Sequence, residues 1–329
     1  MTEASSSAQA ATVLRLRWSL SSMRRKVWLV SGLVVLISLL GLVLSWLDPA
    51  IRAPLRPGLD ITGGTQIQLE RRCDDACAEL KAIQVSDVIR SLELPQEEGQ
   101  PLPNLGAPRV QLLDGGQSLL LRLPTLSAAQ GQAVIQAVER VAGPFLSGGQ
   151  SVDTIGPSLG KQLLRSSLIS LLVAFSGIAA YISFRYDRRY AFLALVALAH
   201  DVAIVCGVFA WLGVVLQLEV DSLFAVSLLT IAGYSVNDTV VVFDRIRERS
   251  KDAADLPLSV QVDQAVSATL TRTLYTSGTT LLPLLALVFF GGATLYWFAI
   301  ALVLGVVVGS WSSIALAPSL LTLWDRSRD

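Results

Sequence analysis

The sequence predicts an α-helical membrane bundle of six transmembrane helices, with a small α+β domain inserted between helices 1 and 2. Composition indicates the membrane, because 52% of the 329 residues are hydrophobic and only 16% are charged, against about 25% charged in a typical soluble domain. The order of the segments indicates the insertion, because one long polar stretch, 48–165, separates the first apolar run from five others. The net charge of zero gives no indication of a nucleic acid partner.

The helices are predicted from apolar runs of about 18 residues or more, the length that crosses the hydrocarbon core of a bilayer. The first run, 27–47, contains no charge and follows the basic triplet at 24–26. It is long for the apolar part of a signal peptide and ends in a poor cleavage site, so we interpret it as an uncleaved anchor. The other five runs are 166–184, 190–215, 222–243, 273–290 and 295–323.

Arginine and lysine residues predict the orientation of the bundle. They cluster before helix 1, between helices 2 and 3, between helices 4 and 5, and after helix 6, all on one side of a six-helix bundle. The short loops on the other side, 217–221 and 291–292, contain no arginine or lysine. Because cytoplasmic loops carry the excess of positive charge, we expect the tails 1–26 and 324–329 and the loop 244–272 to be cytoplasmic. The inserted domain is then on the exported side.

The inserted domain is predicted to have the element order β-α-β-β-α-β, which is the ferredoxin-like pattern. Asp114, Gly115 and Gly116 form a hairpin signal, Ser127 is a helix N-cap, and Gly143 ends that helix. The predicted strands are 61–69, 109–113, 118–123 and 151–155, and the predicted helices are 76–94 and 127–141. The domain has no cluster of metal ligands or nucleophiles, so we interpret it as a binding or lever domain.

Three cysteines do not define a disulfide framework. Cys206 lies inside helix 3 and is interpreted as an apolar packing residue. Cys73 and Cys77 lie in the exported domain, where oxidation is chemically allowed, but a spacing of four residues does not suit paired strands. The sequence leaves open whether these two cysteines form a disulfide.

Charged side chains inside the apolar runs are the candidate functional residues. A charge at the centre of a bilayer costs about 2.5–3.5 kcal/mol on insertion scales, and such residues usually face the bundle interior and mark an ion path. The candidate ion-coupling residues are Asp201 in helix 3, Asp238 in helix 4 and Arg272 at the start of helix 5. Asp238 and Arg272 are expected at similar depth near the cytoplasmic side, where they are able to pair.

Two polar stripes accompany these charges. Side chains on one face of helix 4 are predicted to line up with side chains on one face of helix 5, because both sets recur at helical spacing. The helix 4 stripe contains Ser227, Thr230, Tyr234, Asn237 and Asp238. The helix 5 stripe contains Arg272, Thr276, Thr279, Thr280 and Pro283. We predict supporting roles for Tyr234, Asn237, Thr230, His200 and Thr276.

Simpler interpretations exist for most of these residues. Asp238 lies within two turns of the cytoplasmic loop and fits a solvated helix end. Arg272 fits an anchor whose side chain reaches the interface, and His200, the only histidine, fits a packing residue. Asp201 has the weakest alternative, because burial of an unpartnered charge in mid-membrane is so costly.

Two further patterns concern packing. Gly305, Gly309 and Ser313 recur every four residues in helix 6, which lets another helix approach closely. Apolar residues at helical spacing between 258 and 270 predict a short cytoplasmic helix on the membrane surface.

Four segments of the chain resemble the SecF family. The longest is 233–248 (GYSVNDTVVVFDRIRE), which is close to family-specific. The others are 58–65 (GLDITGGT), with isoleucine where phenylalanine is more usual, 199–202 (AHDV) and 270–273 (LTRT). In the exported domain the residues that carry the resemblance are Gly58, Asp60, Gly63, Gly64 and Thr65.

The resemblance implies a subunit of the resistance–nodulation–division superfamily in a bacterial inner membrane. It implies a complex with SecD that acts beside the SecYEG channel on an unfolded secretory precursor, after an ATP-driven motor has pushed the precursor in. It implies that protons, or sodium ions in some members, cross the membrane part and drive the exported domains. It also implies that Asp238 and Arg272 couple to the ion, with Asp201 as a further intramembrane acid. No cofactor or metal is expected.

Three other functions are compatible with parts of the pattern. The first is a subunit of another transporter of the same superfamily that moves lipid or small molecules. The second is a membrane enzyme, but the sequence has no His-Glu-x-x-His motif, and its one histidine cannot supply a metal pair. The third is a passive scaffold, which has no need of charges inside the membrane.

Overall fold

The structure is a computed structural model, and it describes residues 20–73, 79–96, 102–106 and 108–323. The chain divides into two compact units, one of Met1–Arg56 with Ile169–Asp329 and one of Pro57–Leu168. Among the described residues, 6 helices are long and apolar enough to cross a membrane. A small antiparallel sheet lies between the first and second of them in sequence. The predicted fold class is therefore confirmed.

In chain order the elements are α1 (Leu20–Leu47), α2 (Leu59–Thr62), β1 (Gly64–Arg71), α3 (Ala82–Arg90), β2 (Arg109–Leu113), β3 (Ser118–Leu123), α4 (Ala128–Ala142), β4 (Phe145–Ile155), α5 (Pro157–Arg185), α6 (Arg188–Val215), α7 (Ser222–Asp252), α8 (Leu258–Phe290), α9 (Gly292–Trp311) and α10 (Ala317–Leu321). A π-helical turn, Ser312–Leu316, joins α9 to α10. The helices α1, α5, α6, α7 and α8, and α9 with α10, are the candidate spans.

The segment 244–272 differs from the sequence prediction of a loop that contains a short surface helix. Its first part continues α7 to Asp252 and its last part belongs to α8, which begins at Leu258. No glycine or proline interrupts either part, so the helices continue beyond the apolar runs. Val262 and Val266 are fully buried in an interior cluster with residues of α1 and α6, and so do not face a membrane surface.

The unit Pro57–Leu168 contains a 4-stranded sheet in the order β2-β3-β1-β4, and every neighbouring pair is antiparallel. The predicted β-α-β-β-α-β order is confirmed. The helices α3 and α4 contribute to a single core with the sheet, in which Ile67 and Leu121 pack with Val85, Ile89 and Val134. The alternation of buried and exposed residues in β1 and β3 explains why these strands were predictable.

The ends of some elements in this unit differ from the prediction. The segment predicted to begin the first strand forms α2, and β1 starts at Gly64. The last strand begins at Phe145 and passes through Gly148, whose φ of 92° breaks the alternation that marks a strand. Ser127 caps α4 by accepting a hydrogen bond from the Gln130 amide, as predicted.

The cysteines are only partly within the described residues. Cys206 is a free thiol in α6. Cys73 is disulfide-bonded, whereas Cys77 lies outside the described residues, so the pairing of Cys73 with Cys77 stays a prediction.

Candidate ion-coupling site

Polar side chains gather in the interior of the bundle, where α7 and α9 contact each other and both contact α6 and α8. Asp201, in the middle of α6, is fully buried. Its Oδ1 lies 2.8 Å from Nδ1 of His200. Its Oδ2 accepts hydrogen bonds from the hydroxyls of Ser235 in α7 at 2.5 Å and Ser312 in the π turn at 2.7 Å. One carboxylate therefore joins three elements of the bundle.

His200 belongs to the same cluster. Its side chain is only 6% exposed. Its Nδ1 faces Asp201, whereas its Nε2 is buried and forms no hydrogen bond within the described part of the chain. Only one of the two imidazole nitrogens therefore has a hydrogen-bond partner, which is unusual for a buried polar ring.

Asp238 lies in α7 one turn beyond Ser235, and it is 3% exposed. Its Oδ2 is buried and has no hydrogen-bond partner among the described residues. Arg272 lies in the neighbouring helix α8, but its side chain is exposed and no hydrogen bond or ion pair within 4.0 Å joins it to Asp238. Asp238 and Arg272 thus lie on neighbouring helices, as predicted, but they do not form an ion pair.

The predicted stripe on α7 divides into a buried and an exposed part. Tyr234 donates its hydroxyl hydrogen to Oγ of Ser277 in α8 at 3.1 Å. Thr230 and Asn237 are exposed on the bundle surface, and the Thr230 hydroxyl bonds to the carbonyl of its own helix. Thr276 likewise donates to the carbonyl of Arg272 at 2.9 Å. Helical spacing alone therefore does not predict which of these polar side chains contact another helix and which are exposed.

Several hydroxyl side chains of the site were not singled out from the sequence. Ser310 in α9 bonds to Ser277 at 2.6 Å, and Thr239 in α7 bonds to Ser313 at 2.9 Å. Together with Ser312 they connect the end of α9 to the three helices around it. A serine in an apolar helix can bond to its own backbone, so a single serine does not predict a contact with another helix. Only the cluster of three serines at 310–313 indicated such a contact.

The adjacent serines of the π turn reach different helices. Successive residues of a helix point about 100° apart, and Ser312 and Ser313 are both fully buried because a neighbouring helix lies in each direction. Ser312 bonds to Asp201 in α6, and Ser313 bonds to Thr239 and to the carbonyl of Ser235 in α7. Single π turns inside α-helices occur frequently at functional sites.

The residues predicted for helix packing lie where α9 meets α7. A Cβ added to Gly305 would lie 2.2 Å from Cγ1 of Ile231, and one added to Gly309 would lie 3.2 Å from Cβ of Ser235. Both glycines therefore permit a close approach of the two helices, which also brings Ser313 within reach of Thr239.

The glycine motif of the other unit positions the start of β1. Gly63 and Gly64 have φ values of 72° and 134°, which favour glycine. A Cβ added to Gly64 would lie 2.6 Å from the Leu123 carbonyl oxygen. Thr65 is fully buried and accepts a hydrogen bond from the Leu126 amide at 2.9 Å.

The first two residues of this motif lie at the start of α2. Gly58 is the N-cap of α2, and its carbonyl accepts from the Thr62 hydroxyl at 2.9 Å. Asp60 lies in the first turn of that helix. The motif is thus a backbone turn rather than a set of reactive groups.

Six candidate spans, an inserted antiparallel sheet and two buried carboxylates in the helical bundle are the features of a multi-pass membrane protein. The family described as "Protein export membrane protein SecD/SecF, C-terminal" matches residues 140–327, and the "SecD/SecF GG Motif" matches residues 52–74. The chain belongs to the SecD/SecF family of protein-export membrane proteins, as a multi-pass subunit of the SecF type. The resemblance found in the sequence is therefore confirmed.

Relatives over nearly the whole chain carry the SecF name. The "Protein translocase subunit SecF" of Prochlorococcus marinus is 61% identical over 306 residues, covering 93% of this chain and 95% of the relative. The SecF subunit of Synechocystis sp. is 40% identical and covers 92% of each chain. These similarities define a protein-translocation subunit.

A longer relative and a solved structure extend beyond this chain. The "Protein translocase subunit SecDF" of Thermus thermophilus is 36% identical over 82% of this chain, which spans only 34% of that protein. The crystal structure of SecDF from Thermus, described as a translocon-associated membrane protein, is similar with a TM-score of 0.75 at 30% identity. It covers 94% of this chain, which spans 39% of the SecDF chain. A SecD part and a SecF part therefore occur together in that relative.

Proposed function

We propose that this subunit works with a SecD-type partner to drive late steps of protein export through the SecYEG channel, at the expense of a proton or sodium gradient. The complex acts on unfolded secretory precursors in a bacterial inner membrane. Both termini of the subunit are cytoplasmic, and the unit Pro57–Leu168 is on the exported side, where it binds the emerging chain weakly as a lever without catalysis.

The exposure of two spans is compatible with a partner. Only 6% of the apolar window of α5 and 11% of that of α8 is buried within the chain, against 56% for α6 and for α7. Lipid or another subunit must cover these faces. The fused SecDF relative favours a SecD-type subunit as one such cover.

Ion coupling is carried by one observation, the buried Asp238 carboxylate with an unpartnered oxygen beside a separate Arg272. An ionised carboxylate buried without a partner is costly, so this arrangement suits the proton-bound, uncharged form. Approach of the Arg272 guanidinium would suit the ionised form, because an ion pair offsets that cost. The two arrangements form a two-state element that an ion gradient is able to bias.

Export into inverted membrane vesicles tests this function. Vesicles that contain the channel, the partner and this subunit should complete translocation of a radiolabelled precursor faster than vesicles without the subunit. The difference should vanish when an ionophore collapses the gradient, while the ATP-driven step continues. An equal gradient-dependent rate with and without the subunit would rule out the proposed role. Co-purification of the SecD-type partner and the channel from native membrane tests the assembly separately.

A further inference from the structure

We propose that His200 and Asp201 form a second protonation site, separate from Asp238, which holds one exchangeable proton between the imidazole and the carboxylate. The inference rests on the proposed function only in that the complex couples to an ion. Its basis is the geometry of the cluster: a fully buried carboxylate, an imidazole nitrogen 2.8 Å away, and a second imidazole nitrogen without a partner.

The charge balance of this cluster requires a bound proton. No lysine or arginine of the described chain forms an ion pair with Asp201, so within that part of the chain His200 is the one contacting side chain able to carry a positive charge. An ionised Asp201 beside a neutral His200 would leave one net negative charge in the bundle interior, which is costly. One added proton makes the pair neutral, as an imidazolium on His200 beside the ionised Asp201, whose oxygens face His200, Ser235 and Ser312.

The surrounding elements do not supply another compensating charge. Between Gly292 and Leu323 the chain has no acidic, basic or histidine residue, and neither has α1 between Val27 and Leu47. The charged residue of α7 closest in sequence to Ser235 is Asp238, an acid, which supplies no positive charge. The titratable groups of α6 other than the pair are Arg188, Arg189 and Tyr190 at its beginning and Cys206.

The geometry favours a proton over a sodium ion as the occupant. A carboxylate has about four acceptor positions, and three of those of Asp201 face His200, Ser235 and Ser312 at 2.5–2.8 Å. Hydrogen bonds of this length bring the oxygens into direct contact and leave no space between them for a metal ion. A proton adds to such a cluster without separating its members.

The donors to Asp201 come from two elements other than its own helix. Ser235 belongs to α7 and Ser312 to the π turn that follows α9, and Gly309 of α9 permits a close approach to Ser235. Separation of either element from α6 would remove a hydrogen bond that favours the ionised carboxylate. The unpartnered Nε2 of His200 is the atom at which the pair exchanges its proton when the interior opens. Movement of α7 or α9 is thereby linked to uptake and release.

Histidine nitrogen NMR tests the site directly, because His200 is the only histidine in the chain. The full chain, labelled with 15N-histidine and purified through a tag without histidine, is reconstituted in lipid vesicles and titrated with acid and base. We expect one proton step at His200, and we expect the step to be lost in Asp201→Asn, because an amide cannot balance an imidazolium. Ser312→Ala keeps the carboxylate but removes one donor to it, so the step should move to higher pH.

Three results would overturn the proposal. One is a neutral ring with unchanged signals at every pH in the unmodified chain, which is the behaviour of a purely structural network. Another is a step that persists in Asp201→Asn. The third is a shift of the His200 signals when sodium chloride replaces choline chloride at constant pH. Cys206→Ala, on the same helix but outside the cluster, is the packing control and should leave the step unchanged.

Asp238→Asn separates this inference from the proposed function. The His200 step should persist in that variant, because the two sites bind their protons independently. If gradient-dependent export survives in Asp238→Asn while the His200 step is present, the role of Asp238 fails and the second site stands. Loss of the step in Asp238→Asn would mean that the two acids form one site, which overturns the second site alone.

Discussion

Asp238 of α7 and Arg272 of α8 lie on neighbouring helices without an ion pair between them, with the carboxylate buried and the guanidinium exposed. We therefore predict that Asp238→Asn, which removes the charge at nearly constant size, leaves folding and assembly intact. Gradient-dependent export in vesicles should fall to the level seen after the gradient is collapsed. Asp252→Asn, an exposed acid at the end of the same helix, is the matched control. Export at the unmodified rate in Asp238→Asn would contradict the coupling role.

Arg272 is predicted to act through its positive charge, which offsets the charge of Asp238 when the guanidinium approaches the carboxylate. Arg272→Ala should lower gradient-dependent export, because it removes the group that offsets the charge of Asp238. Arg272→Lys keeps the charge but loses the planar, forked donor, so it should restore export only in part. Initial rates of precursor translocation, normalised to the amount of subunit in the vesicles, give the comparison. Equal rates for the alanine and lysine variants would show that charge at 272 is not what matters.

The orientation is testable by thiol labelling. Ser147 in β4 and Asp187 between α5 and α6 are both exposed to solvent. In a chain whose native cysteines are replaced, a cysteine at 147 should react with an impermeant maleimide added from the exported side, and one at 187 should not. Permeabilised membranes should label both sites. The opposite pattern would reverse the predicted orientation.

Gly64 is predicted to be required for stability rather than for chemistry. Its φ of 134° and the 2.6 Å approach of an added Cβ to the Leu123 carbonyl make any side chain unfavourable. Gly64→Ala should destabilise the unit Pro57–Leu168 by about 2 kcal/mol. Hydrogen exchange of β1 and β3 amides in the full chain measures the loss. Gly177→Ala, in α5 with nothing within 4 Å of the added atom, should have no comparable effect.

The spans and the charged residues were predictable because both are conspicuous by composition. An apolar run of bilayer length has few alternatives, and an acid such as Asp201 inside one stands out. The ends of α7 and α8 were not predictable, because a helix can continue beyond the bilayer with the same spacing of apolar residues. Val262 and Val266 have the spacing of a surface helix, but contacts with α1 and α6 bury them.

The hydroxyl partners of the site were not predictable for a different reason. Ser310 bonds both to the carbonyl of Val306 in its own helix and to Ser277 in α8. Any serine in a helix is able to bond to its own backbone, so the first bond is expected from sequence. The bond to a second helix depends on which helix lies opposite, which the sequence does not show. The same reason explains why only part of the predicted polar stripe of α7 is buried. Thr230 and Asn237 have the same helical spacing as Tyr234, but no neighbouring helix in the described part of the chain covers them.

The π turn between α9 and α10 absorbs one extra residue without changing the direction of the last helix. A π turn contains about one residue more than an α turn, so each of its residues rotates the chain by less than a residue of an α-helix does. Ser319 of α10 therefore still faces Trp28, whose indole nitrogen donates to it at 3.0 Å. Deleting one residue within Ser312–Leu316 should convert the turn to α and keep that contact, while it changes which side chains of the turn itself face α6 and α7.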